Sequence, residues 1–155
     1  MATNSIGSGV KSEYTVAICC TTFRRPKMLR NLLDSWQNLT IPDHVLPVFI
    51  VVENHHEGHC RELVESLADR FSPHKLVYEI ATDPGIPPAR NTAIKTALAQ
   101  GAELILFVDD DEIADEKWLD ELIGTYVETG AVLIGGPVYA RFDNDEDGFL
   151  AKIMR

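Results

Sequence analysis

Apolar runs with β-branched residues alternate with apolar stripes at helical spacing along most of this chain. Tyr14–Thr21 reads as a buried strand. Pro26 suits the first position of a helix, and Met28, Leu29, Leu32, Leu33 and Trp36 follow at helical spacing. Leu46–Glu53 predicts a second buried strand, and Glu62–Phe71 predicts a helix carrying Leu63, Val64, Leu67 and Phe71. Lys75–Ala81 reads as a third strand. The segment Asp83-Pro84-Gly85-Ile86-Pro87-Pro88 is a loop by composition, whose last two prolines open a helix through Ala89–Ala99 that Gly101 stops. Glu103–Val108 predicts a fourth strand. Asp115 is placed to cap a helix containing Trp118, Leu119, Leu122, Ile123 and Tyr126, and Ala131–Tyr139 predicts a fifth strand.

Strands that alternate with helices predict a doubly wound, mostly parallel α/β sheet with helices on both faces. Ligands of such sheets bind outside the carboxyl ends of the strands. Polar residues cluster there: Thr21-Thr22-Phe23-Arg24-Arg25 after the first strand, Glu53-Asn54 after the second, and Asp109-Asp110-Asp111-Glu112 after the fourth. The division expected is a polar tail at 1–13, an α/β domain at 14–142, and the start of an acceptor-binding region at 143–155. Phe149–Arg155 resembles the opening of a further helix, so a complete enzyme of this pattern is expected to continue beyond it.

The four acids carry the most chemical information. They follow the apolar run Leu104–Val108, whose five residues predict a strand buried on both faces. Clustered carboxylates at the end of a buried strand raise each other's cost of ionisation, and a cation relieves it. In extended chain, residues i and i+2 share a side, so Asp109 and Asp111 are expected to face one divalent ion with Asp110 turned away or toward a neighbouring group.

Composition adds limits. A net charge of −10 argues against nucleic acid or an anionic membrane as a general partner, and it requires local neutralisation of any anionic substrate. Three cysteines, two of them adjacent in an apolar run, fit a reducing, cytoplasmic setting better than a disulfide framework. No stretch approaches the ~20 apolar residues of a membrane span. Met1–Ser12 lacks the apolar core of a signal peptide.

Five segments in order, TVAICCTTFRRPKMLRNLLDS, VFIVVEN, GIPPARNTAI, LILFVDDDEIADEKWLDEL and IGGPV, span Thr15 to Val138. Together they resemble the nucleotide-binding half of an inverting family 2 glycosyltransferase with the GT-A fold. The Thr-Phe-Arg-Arg-Pro start and the Asp-Asp-Asp-Glu form are most similar to bacterial exopolysaccharide glucosyltransferases, such as those of succinoglycan biosynthesis.

The resemblance implies a nucleoside-diphosphate-sugar donor, in particular a UDP-sugar carrying a hexose such as glucose. It implies a saccharide or lipid-linked saccharide acceptor at the inner face of the cytoplasmic membrane. By the same resemblance Thr21, Thr22, Phe23 and Arg24 lie along the nucleotide, with Phe23 on the base. Glu53 stands where the family commonly uses Asp to accept a hydrogen bond from uracil, and Arg90 stands where an Arg reaches base or sugar. The acids match the family's D-x-D motif. Asp111 would contact Mg²⁺ or Mn²⁺ on the diphosphate, with Asp109 and Asp110 divided between metal, ribose and sugar hydroxyls. A hard divalent cation stabilises the departing diphosphate. The catalytic base of the family lies beyond the segment matching Val138. Asp143, Asp145, Glu146 and Asp147 read as a solvated loop, so the base is expected beyond Arg155.

Other readings compete. Nucleotide-sugar binding without turnover fits the same residues. Cys19 and Arg25 have the C-x5-R spacing of a phosphatase loop, but that loop needs glycine and has none here. An aspartyl-phosphate phosphatase would also use Asp109 and Asp111, though normally after its first strand. Surface charge is the plain alternative for Arg24 and Arg25, a strand-end acid for Glu53, and a helix salt bridge for Arg90. His55, His56, His59 and Cys60 suggest zinc, with His55 and His59 four residues apart. No second ligand pair accompanies them, so the segment reads as a polar loop.

Overall fold

The computed structural model describes residues 13–139. Its strands are β1 (Tyr14–Thr22), β2 (Val45–Glu53), β3 (Lys75–Ile80) and β4 (Leu104–Phe107). Its helices are α1 (Pro26–Trp36), α2 (Arg61–Leu67), α3 (Ile86–Ala99) and α4 (Trp118–Thr129). All strand pairs are parallel, in the order β3-β2-β1-β4. The second helix is shorter than its apolar stripe predicts, because the chain tightens into a 3₁₀ turn over Ala68–Phe71. That turn still delivers Phe71 to the core, edge-on to Phe49 with ring centroids 4.8 Å apart.

β1 is central, and its alternation supplies two cores. Val16, Ile18 and Cys20 pack on one face with Leu29, Leu32, Leu33 and Trp36 of α1, Val64 of α2, and Leu119 and Ile123 of α4. Ala17 and Cys19 pack on the other face with Ala89, Ala93 and Ala97 of α3. These three alanines recur every four residues, so a stripe of small side chains lets α3 lie close to the sheet. Helices therefore cover both faces, as a doubly wound sheet requires.

Two of the expected strands differ. β4 is not buried on both faces: each of its four residues is half-buried. It pairs only with β1 among the described residues, and an edge strand has fewer neighbours to cover it. The fifth strand expected at Ala131–Tyr139 does not form. Val132, Leu133, Val138 and Tyr139 are exposed there. Gly135 and Gly136 weaken strand formation, and Pro137 lacks an N–H for a ladder. The boundaries at 1–13 and 142, and the region 143–155, fall largely outside the described residues.

Asp115 plays a smaller part than the expected cap. Lys117 stands at the cap position of α4, and Asp115 accepts the Lys117 N–H at 2.9 Å from the turn before it. Gly85 caps α3 at φ 116°, ψ 159°, a conformation almost confined to glycine. Its N–H donates to Asn54 Oδ1 at 2.8 Å, and Asn54 Nδ2 donates to the Asp83 carbonyl at 2.8 Å. Asn54 thus pins the β3–α3 loop to the end of β2. Gly85→Ala is expected to cost on the order of 1 kcal/mol through backbone strain. Urea denaturation measures it. No helix among the described residues is long and apolar enough to cross a membrane.

Candidate functional site

Parallel register brings the strand ends together. Thr22 lies beside Glu53, and Val108 N–H continues the β1–β4 ladder to the Cys19 carbonyl at 3.1 Å. The chain after each strand therefore emerges on one side. An open cleft of about 290 Å³ lies there. Thr21, Thr22, Phe23 and Arg25 line it from the end of β1, and Asp109, Asp110 and Asp111 line it from beyond β4. Asn54 and the first turn of α3, through Ile86, Ala89 and Arg90, complete the wall.

The three aspartates divide into one buried and two open groups. Asp110 is 5% exposed. Its Oδ2 accepts the Thr22 hydroxyl at 2.7 Å, and its Oδ1 accepts Arg25 Nη1 at 3.1 Å. Asp109 and Asp111 keep 61% and 56% of their side-chain surface exposed. Asp109 meets Arg90 Nη2 at 3.3 Å, and Asp111 meets Arg25 Nη1 at 3.6 Å. This is the division expected from alternation, but a turn produces it. The Glu112 N–H donates to the Asp109 carbonyl at 3.1 Å, and Glu112 Oε2 accepts the Asp109 N–H at 3.0 Å. Glu112 is thereby committed to holding the turn. Asp109 and Asp111 are the oxygen donors left to face a hard cation, and that donor chemistry suits Mg²⁺ or Mn²⁺.

The cleft gathers Thr21, Thr22, Phe23, Arg90, Asp109, Asp110 and Asp111 from the residues singled out in the sequence. Arg24 and Glu53 are not in its lining. Arg24 takes φ 55° at the turn after β1 and is exposed. Glu53 is fully buried: its Oε2 accepts the Cys60 N–H at 2.7 Å and the Tyr78 hydroxyl. The longer side chain reaches back into the protein, where Asp would stop short. Burial and this hydrogen bond to the Glu53 carboxylate push the Tyr78 hydroxyl well above its usual range. Arg25 and Asn54 carry more of the site than the sequence indicated. The available signal for Arg25 was a cation against the dipole at a helix start.

The phosphatase readings fail on the same geometry. Cys19 is buried inside β1 against α3, and burial pushes its thiol up to about 12. Its partner in the spacing, Arg25, is engaged by Asp110 and Asp111. The Asp109/Asp111 pair follows the fourth strand, at an edge, and not the first. Cys20 lies higher still, through burial first and then the Asp110 charge. Cys60 is pushed up to about 11 by burial and then by Glu53. All three thiols are buried and protonated at neutral pH. A thiol held neutral by the fold favours folding below its unfolded value of 9.0, and that contribution is lost as pH rises toward about 12. At pH 8 the native chain is expected to leave a disulfide reagent such as DTNB unconsumed, while the denatured chain consumes three equivalents. Rapid labelling of the native chain would contradict this placement.

Comparison with known proteins follows the same lines. The sequence profile described as Glycosyl transferase family 2 matches residues 17–154. The succinoglycan biosynthesis protein ExoM of Rhizobium meliloti (strain 1021) is 32% identical over 127 residues, which cover 82% of this chain and 39% of that protein. This chain thus spans about two fifths of the length of that relative. The crystal structure of S. aureus TarS residues 1–349 is similar with a TM-score of 0.61 and 20% identity, covering 84% of this chain and 40% of that one. The same TarS fragment in complex with UDP-GlcNAc gives a TM-score of 0.58 at 21% identity, covering 80% and 37%. These likenesses show a shared fold.

Proposed function

Because this chain belongs to glycosyl transferase family 2, we propose that its cleft holds a nucleoside-diphosphate-sugar donor for metal-dependent, inverting transfer of a hexose. The observation that carries this is the split of the acids into one buried aspartate and two open ones beside Arg25 and Arg90. Asp110 fixes the loop. Asp109 and Asp111 would hold Mg²⁺ or Mn²⁺, which when bound offsets the charge of the diphosphate leaving group.

The arginines now neutralise carboxylates. Their planar forks suit phosphate oxygens equally well, so Arg25 and Arg90 can turn to a diphosphate once a bound cation takes over the charge of Asp109 and Asp111. Phe23, half-exposed in the cleft lining beside Thr21 and Thr22, offers a face for the base. Arg24 lies close enough in sequence to follow the nucleotide. Glu53 is assigned an internal role, since its carboxylate is buried. Among the described residues, Asp109, Asp110 and Asp111 are the acids that line the cleft. All three are occupied with donor or loop, so the base that deprotonates the acceptor is assigned to a residue outside 13–139.

Similarity to a succinoglycan biosynthesis protein supports an acceptor of saccharide or lipid-linked saccharide type in exopolysaccharide assembly. The UDP and UDP-GlcNAc complexes of TarS support a uridine donor. Three buried, reduced thiols fit a cytoplasmic reaction. Competition binding in Mn²⁺ against a fluorescent UDP-sugar tests the assignment. UDP and UDP-glucose are expected to displace the probe far better than uridine, with UMP between them. Uridine equal to UDP would show that no diphosphate site exists.

A further inference from the structure

The loop between β2 and α2 gathers a second set of ligand atoms, away from the aspartates. His55, Glu57 and His59 each present one, and the three lie within 4.8 Å of one another. His59 Nε2 is 3.2 Å from Glu57 Oε2. Donors bound ~2.0–2.2 Å from a tetrahedral zinc lie about 3.4 Å apart, so this pair already has the needed separation. The His55 and His59 rings meet edge to face with centroids 4.6 Å apart, and His55 Nδ1 accepts the Glu57 N–H at 3.3 Å, so His55 must close on the other two to complete the set.

A separate observation lies behind His59. The second carboxylate oxygen of Glu53, Oε1, is buried and has no hydrogen-bond partner. It faces His59 Nδ1 at 3.8 Å. An orphaned oxygen on a buried carboxylate is costly. A metal-bound imidazole uses such an acceptor: Nδ1–H donates to a carboxylate, and Nε2 is thereby fixed toward the ion. Glu53 stands behind Nδ1 of His59, beyond hydrogen-bond distance, while Glu57 meets Nε2 on the other side of the ring.

We infer that His55, Glu57 and His59 form a transition-metal site of the zinc class, with Glu53 as the positioning residue behind His59. Two imidazoles and one carboxylate suit Zn²⁺, whereas the all-oxygen pair Asp109/Asp111 suits Mg²⁺ or Mn²⁺. The two sites therefore take different ions, and the inference does not rest on the donor assignment. Spacing alone gave no signal for Glu57, because a lone acid between two histidines is ordinary in a polar loop.

The test is a Zn²⁺ titration of the chelator-stripped 155-residue chain against a chromophoric zinc indicator. One equivalent is expected to bind. His59→Ala and Glu57→Gln should each weaken binding at least tenfold, and Glu53→Gln should weaken it roughly 10- to 100-fold as an outer partner. Glu57 is exposed, so Glu57→Gln keeps the fold even if a histidine variant does not. Asp111→Asn should leave zinc affinity unchanged. Co²⁺ should give visible absorption bands in the parent that Glu57→Gln shifts or removes. The inference is overturned if zinc fails to bind stoichiometrically, or if affinity survives in Glu57→Gln and His59→Ala. It is equally overturned if affinity follows Asp111.

Discussion

Asp111→Asn is expected to remove the Mn²⁺-dependent part of UDP binding and leave the fold in place. The side chain is 56% exposed and makes one described contact, to Arg25 at 3.6 Å, so little folding energy depends on it. Its charge matters instead to a cation. Asn keeps the shape and loses half of the carboxylate pair that faces the cleft. Outer partners of bound metals already cost 10- to 100-fold in affinity when removed, so an inner ligand should cost on the order of 100-fold or more. Arg25 would also lose a counter-charge and become freer to meet phosphate. Some metal-independent UDP binding should therefore remain. Titrations of parent and variant with UDP, each with and without Mn²⁺, separate the two contributions. Equal Mn²⁺ dependence in the variant would remove Asp111 from the metal assignment.

Asp110→Ala should behave in the opposite way and cost stability. Asp110 joins three pieces of chain: its own turn, the end of β1 through Thr22, and the start of α1 through Arg25. Thr22 is 3% exposed, so its buried hydroxyl would lose its carboxylate acceptor, at about 1–3 kcal/mol. Arg25 is half-exposed and can turn to water, which limits the ion-pair loss to about 1 kcal/mol. Together these give an expected loss of roughly 2–4 kcal/mol in urea denaturation. UDP affinity should fall as well, since the loop carrying Asp109 and Asp111 loses its tether. A loss under about 0.5 kcal/mol, the range of an ordinary surface change, would mean that Asp110 does not hold the loop.

Much of the fold was legible because periodicity reports burial directly. β1 and β2 are buried on both faces and read as continuous apolar runs, while Leu29, Leu32, Leu33 and Trp36 mark α1 at helical spacing. The two failures share one cause. The pattern gives the tendency of a segment and is silent about its neighbours. Leu104–Phe107 looked fully buried but lies at an edge, and Ala131–Tyr139 looked like a strand but carries two glycines and a proline. Strand-end position was enough to group Thr21, Thr22 and the aspartates, which line one cleft in the structure. It could not foresee which way a side chain turns. Glu53 sits at the right strand end and points inward because Cys60 N–H and Tyr78 offer it better partners. For Arg25 the sequence offered only a cation set against a helix dipole, and could not name its partners, because they lie 85 and 86 residues away.

The most direct measurement is calorimetric titration of the folded 155-residue chain with UDP, in Mn²⁺ and again after chelation. Metal-assisted diphosphate binding in the cleft predicts saturable one-to-one binding that weakens sharply when Mn²⁺ is withdrawn and returns when it is restored. A folded chain that shows no metal-dependent binding of UDP or any other nucleoside diphosphate would contradict it.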